Sequence, residues 1–192
     1  MPTAILQGFP EADREMRKYV KEIFAIGGMD PRYLKTFLII SDEPEVPPAF
    51  TNWDYSDEVG VPEGFIFFDA NLFNTLSHAA RKFAIYHESA HIILKHIKKP
   101  QSKHREIESY MSYFFDKKLP KAGLELARQE AEADAYALKY ARNFDAFMEV
   151  INEISGGNMD TPSHYFAVMN QTIPAFPYGE RVRLAKEAFD SF

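Results

Sequence analysis

The chain has no cysteine and only one tryptophan. Without cysteine there are no disulfides and no thiolate ligands, so any bound metal must be held by His, Asp or Glu. Long apolar runs are missing too. The longest are four or five residues, far below the ~20 that a membrane-spanning helix needs, so no integral membrane segment is expected. The opening residues, MPTAILQGFPEADREM, lack a basic start followed by an apolar stretch, and no secretory signal is read there. Positive charge is scarce as well. Twenty-two Lys and Arg stand against 28 Asp and Glu, a net charge of −6, which argues against a nucleic-acid partner, since that needs a basic footprint. A cytoplasmic protein is the expectation.

What is present points to a packed core. Apolar residues make up 46% of the chain, with 17 Phe and 10 Tyr, so rings supply much of it. A length of 192 residues suits a single domain over 1–192. Apolar spacing predicts a helix over about 11–25, stopped by Gly27 and Gly28. Thr36–Ser41 and Gly64–Asp69 read as strands, with a short one over Ala49–Trp53 inside an acid-rich stretch. That stretch, 42–63, holds seven carboxylates and no Lys or Arg. Ser77 is a candidate N-cap for a helix reaching Lys98, with Phe83, Tyr86, Ala90, Ile93, Leu94 and Ile97 as its apolar stripe. Further helices are predicted over 104–118, 121–142, 145–155, 161–171 and 179–190. Strands first and helices after make α+β the natural class.

The chemistry-bearing segment is Tyr86-His87-Glu88-Ser89-Ala90-His91, which contains His-Glu-x-x-His. Two His four residues apart on a helix differ by about 40° in direction and ~6 Å in height. Both rings therefore reach one point off the same face, where bonds of ~2.0–2.1 Å to a single Zn²⁺ are possible. Glu88 is rotated about 100° from His87, which keeps it from ligating but leaves it beside the ion, where a general base is needed.

A catalytic zinc needs a third protein ligand. His96 lies five residues past His91, and an unbroken helix turns it about 140° away. The better source is Gln129-Glu130-Ala131-Glu132-Ala133-Asp134. Glu130 and Asp134 share a helix face, a mildly repulsive spacing, and neither has a Lys or Arg three or four residues away on that helix. A cation between them resolves the repulsion. Glu130 is then the third ligand, with Asp134 steadying His87 from its far nitrogen. Glu132 points elsewhere and has Arg128 four residues before it, so it reads as a solvated helix pair.

With these residues in place, the chain resembles the gluzincin zinc peptidases, whose pattern is HExxH followed by E-x-x-x-D. Within them it is similar to the family of the CaaX prenyl-protein endopeptidases and bacterial heat-shock membrane proteases. The shared features are Pro48-Ala49-Phe50, GFIFFD, Leu72 to Leu76, HESAH, and Glu130 to Asp134. They span about residues 36–142. The resemblance implies a zincin-like domain, with a small sheet packed on the HExxH helix and a mainly helical C-terminal half. It also implies one catalytic Zn²⁺ and a peptide or protein substrate.

The family's tail carries a His-Pro followed by an Arg. Here Phe176-Pro177-Tyr178-Gly179-Glu180-Arg181 keeps the Pro and Arg and lacks the His. His164 and Tyr178 are candidates to replace it in stabilising the transition state, and Arg181 is a candidate to reach the site. A second resemblance, to soluble repressor-cleaving proteases of phage and stress-response systems, is weaker because those read E-A-N where this chain has E-A-D. The expected function is peptide hydrolysis with Glu88 as general base. The alternative is a zinc-bearing regulatory or binding module with little activity.

Overall fold

The computed structural model describes residues 10–39, 49–56, 61–96, 119–161 and 177–192. The first helix, α1, spans Pro10–Ile26. Its buried positions Ala12, Met16, Val20, Ile23 and Phe24 recur at three- and four-residue intervals and so form one face. The helix ends where Met29 donates to the Phe24 carbonyl at 2.9 Å and Gly28 takes φ +68°, a closure that glycine adopts without strain. Gly27 matters for a different reason. A Cβ there would meet Ile93 Cγ2 at 2.9 Å, so its bare backbone lets α1 close against the central helix.

Three strands follow: β1 Tyr33–Ile39, β2 Ala49–Ser56 and β3 Val61–Asp69. The sheet order is β1-β3-β2, with β1 parallel and β2 antiparallel to β3. All three are longer than expected in at least one direction. Pairing of Tyr55 with Pro62 and Ser56 with Val61 carries the β2–β3 pair beyond Trp53 and before Gly64, where side-chain propensity alone gave no strand. Leu38, Ile66 and Phe68 are buried on the inner face. Phe37, Phe65 and Phe67 share the other face as a ring cluster, with centroids 5.3 and 4.6 Å apart at Phe37–Phe67 and Phe65–Phe67.

Asp69 caps the short helix α2, Ala70–Thr75, by accepting from Asn71 and Leu72. The central helix, α3, spans His78–Ile93, and the Ser77 hydroxyl oxygen accepts from the Ala80 amide. Every residue from Phe83 to Ile92 is buried, where a single apolar stripe was expected. Among the described residues three helices follow: α4 is Leu119–Ala141, α5 is Phe144–Ser155 and α6 is Tyr178–Asp190. The difference at α3 has a simple cause: α1, β2, α4 and α5 all pack on it, so over that stretch no face is left to solvent and its polar residues are enclosed.

The predicted extension of α3 to Lys98 is corrected. Leu94 is its C-cap, Lys95 turns into the left-handed region at φ 57°, and His96 donates its backbone N–H to the His91 carbonyl at 2.8 Å. A non-glycine residue there costs about 1–2 kcal/mol. The helix predicted over 104–118 lies outside the described residues, as does nearly all of the one over 161–171. Helices and a small sheet segregate along the chain, in keeping with the α+β class. Among the described residues no helix is long and apolar enough to cross a membrane.

Candidate metal centre

The site is built where α3 crosses α4, whose Ala133 and Ala137 are fully buried. With no side chain beyond Cβ at those two positions, the two helices can approach closely and the polar side chains beside them can meet.

The structure brings His87, His91 and Glu130 together as a group able to hold a metal ion. His87 Nε2 and His91 Nε2 are 3.2 Å apart. Glu130 straddles them, with Oε2 3.4 Å from His87 Nε2 and Oε1 3.5 Å from His91 Nε2. Bonds of 2.0–2.1 Å at tetrahedral angles require ligand–ligand separations of about 3.3–3.4 Å; the two imidazole nitrogens are near that spacing, and Glu130 meets each of them through a different oxygen. Two imidazole lone pairs facing each other at 3.2 Å also repel unless a proton or a cation lies between them. The donor set of two nitrogens and one carboxylate suits zinc. The Glu130 side chain is 28% exposed against 9% for each histidine, so the open side of the group is the carboxylate side.

Asp134 is fully buried. Its Oδ1 lies 2.8 Å from His87 Nδ1, close but not aligned as a hydrogen bond. Arg181 comes from α6 and is buried at the same place. Its Nε and Nη2 donate to Asp134 Oδ2 and Oδ1 at 2.6 and 2.9 Å, and Nη1 reaches Glu130 Oε2 at 3.1 Å. The repulsion between Glu130 and Asp134 is therefore relieved by a side chain 47 residues further on, whether or not an ion is bound. Glu180 and Glu187, on the same helix as Arg181, pair with Arg183.

Burial and these charges act in opposite directions on the site's proton affinities. Burial disfavours the His87 cation, but Asp134 and then Glu130 outweigh it and push His87 up to about 10. Burial dominates at His91 and takes it down to about 3, Glu130 notwithstanding. Glu130 and Asp134 are desolvated, yet Arg181 above all holds both below the ordinary carboxylate range. Glu88 is raised, chiefly by burial, with His87 and Thr51 pulling the other way.

Thr51 on β2 was not anticipated. Its hydroxyl donates to Glu88 Oε2 at 2.7 Å and lies 3.1 Å from the Glu88 carbonyl oxygen. Register decides this. Thr51 pairs with Ile66 and shares its inward face, and a slip of one residue would turn it away from α3.

His96 was read as turned away from the site, and that reading is corrected: the end of α3 at Ile93 folds it back until its Nδ1 is 3.1 Å from His91 Nδ1. Glu132 forms the expected pair with Arg128, but it also meets His96 Nε2 at 3.1 Å. No signal in the sequence announces the left-handed Lys95 that makes this contact. Tyr178 is packed in the hydrophobic core, and His164 lies outside the described residues. Comparisons with protein-family models, with curated proteins and with solved structures return no match for the chain.

Proposed function

We propose that this chain is a zinc-dependent metallopeptidase of gluzincin type, with a zincin-like fold, in which His87, His91 and Glu130 hold one catalytic zinc. The observation that carries the reading is the convergence of the three side chains, with the His87 and His91 Nε2 atoms 3.2 Å apart and the two Glu130 oxygens 3.4 and 3.5 Å from them, next in sequence to the buried carboxylate of Glu88. Zinc held there supplies Lewis acidity toward a carbonyl oxygen and toward water.

The protein's own groups do the rest. Desolvation makes Glu88 a stronger base than a solvated carboxylate, so it accepts a proton from the attacking water and returns it to the leaving amine. Thr51 holds Oε2, which leaves Oε1 to handle that proton. Among the described residues β2 pairs only with β3, so its other edge can take an extended peptide by strand addition. A peptide bound there runs past Thr51 and hence past Glu88. Arg181 directs its donors to Asp134 and Glu130, so we assign it to orienting those carboxylates.

A zinc-binding regulatory module with little activity is the second reading. It is favoured by Glu88 being only 8% exposed and tied to Thr51. Elemental analysis and incubation with unfolded protein substrates separate the two. Glu88→Gln is expected to keep stoichiometric zinc and lose hydrolysis by about 10²–10⁴-fold. Turnover near the parent rate in that variant removes Glu88 from the chemistry, and zinc without any cleavage by the parent favours the regulatory module.

A further inference from the structure

His96 and Glu132 have no part in the function proposed above, yet His96 is 4% exposed and ends a row of three imidazoles. Ring centroids are 4.9 Å apart at His87–His91 and 5.2 Å apart at His91–His96. The hydrogens along the row follow from its far end. A carboxylate has no proton to give, so across 3.1 Å His96 Nε2 donates to Glu132 Oε2. His96 Nδ1 is then the acceptor, and the hydrogen in its 3.1 Å contact belongs to His91 Nδ1. That leaves the His91 lone pair on Nε2, the atom facing His87 and Glu130.

We propose that His96 and Glu132 are positioning residues for the metal centre: they fix His91 as its Nδ1–H tautomer and hold the ring so that Nε2 addresses the ion. This rests on the reading of His87, His91 and Glu130 as ligands. Asp134 stands in the corresponding place behind His87. His91 lies near the helix end, where a second imidazole, folded back by Lys95, links His91 Nδ1 to the carboxylate of Glu132. Partners of this kind are worth 10–100-fold in metal affinity.

The test is Zn²⁺ affinity of the full chain by chelator competition, together with long-range ¹H–¹⁵N histidine spectra of the metal-free chain. His96→Leu is expected to weaken zinc binding about 10–100-fold and to leave His91 as a mixture of tautomers. In the parent, His91 is a single Nδ1–H form. His96→Asn, whose Oδ1 can stand near the position of Nδ1 and accept from His91, is expected to recover most of the affinity. Should His96→Leu fail to fold, Glu132→Ala, made at a position 42% exposed, reads the same tautomer. A parent chain that binds no zinc overturns the ligand reading and this proposal with it. A parent that binds zinc no more tightly than His96→Leu, or a parent-like His91 tautomer in Glu132→Ala, overturns this proposal alone.

Discussion

His87 and His91 lie one turn apart on α3, and the molecule supports them by different means. Behind His87 stand a fully buried aspartate and a buried arginine, contributed by α4 and α6. Behind His91 stand another imidazole and a carboxylate at the protein surface, Glu132, which is 42% exposed. The first flank is charged and enclosed, the second largely neutral and open to water at its end. One helix thus carries a histidine pushed up to about 10 and another taken down to about 3. In the metal-free chain a proton can occupy the 3.2 Å gap between them, held by His87. The difference teaches that a motif with two identical side chains need not give two equivalent environments.

The comparison breaks most readily on the charged side. Asp134→Ala leaves Arg181 buried and short of its bidentate partner, and is expected to cost about 3–5 kcal/mol in denaturant unfolding. Replacing both, as Asp134→Leu with Arg181→Met, is expected to cost clearly less, because no buried charge is then left from that pair. A double variant as damaged as the single one would show that shape, and not charge, holds this flank together.

Acidity and alkalinity should separate the two histidines in the metal-free protein. The His87 pKa is raised above its unfolded value near 6.5, so its stabilisation is complete below that pH and is lost as pH climbs toward 10. The His91 pKa is lowered, so the folded state loses stability as pH falls from about 6.5 toward 3. Each histidine limits its slope to about 1.4 kcal/mol per pH unit. Saturating zinc is expected to flatten the alkaline limb, since the ion replaces the His87 proton. Unfolding midpoints measured across pH with and without zinc check this, and an alkaline limb indifferent to zinc contradicts it.

The smallest effect belongs to the open flank. Glu132→Ala is expected to change folding stability by no more than about 1 kcal/mol, as for exposed pairs in general. A loss comparable to that of Asp134→Ala would erase the distinction between the flanks.

Much of this site could be read along the chain because its parts are local. HESAH lies within one helix, and Glu130 and Asp134 lie one turn apart on another, so helical geometry alone assigns them to common faces. Three contributors escaped that logic. Thr51 depends on strand register across the β2–β3 hairpin. His96 depends on a single left-handed residue, Lys95. Arg181 was only a candidate to reach the site, because a side chain on α6 finds its partners by how the helices pack.

By itself the amino-acid sequence determined the candidate ligand types and their spacing on α3 and α4, which follow from residue identity and helical periodicity. Tertiary structure alone decided which cation relieves Glu130 and Asp134, which strand residue holds Glu88, and where α3 stops. The physical reason is burial. Enclosing α3 on every side strips its polar groups of water, so Glu88 turns to Thr51 on β2 and His87 faces Asp134 on α4.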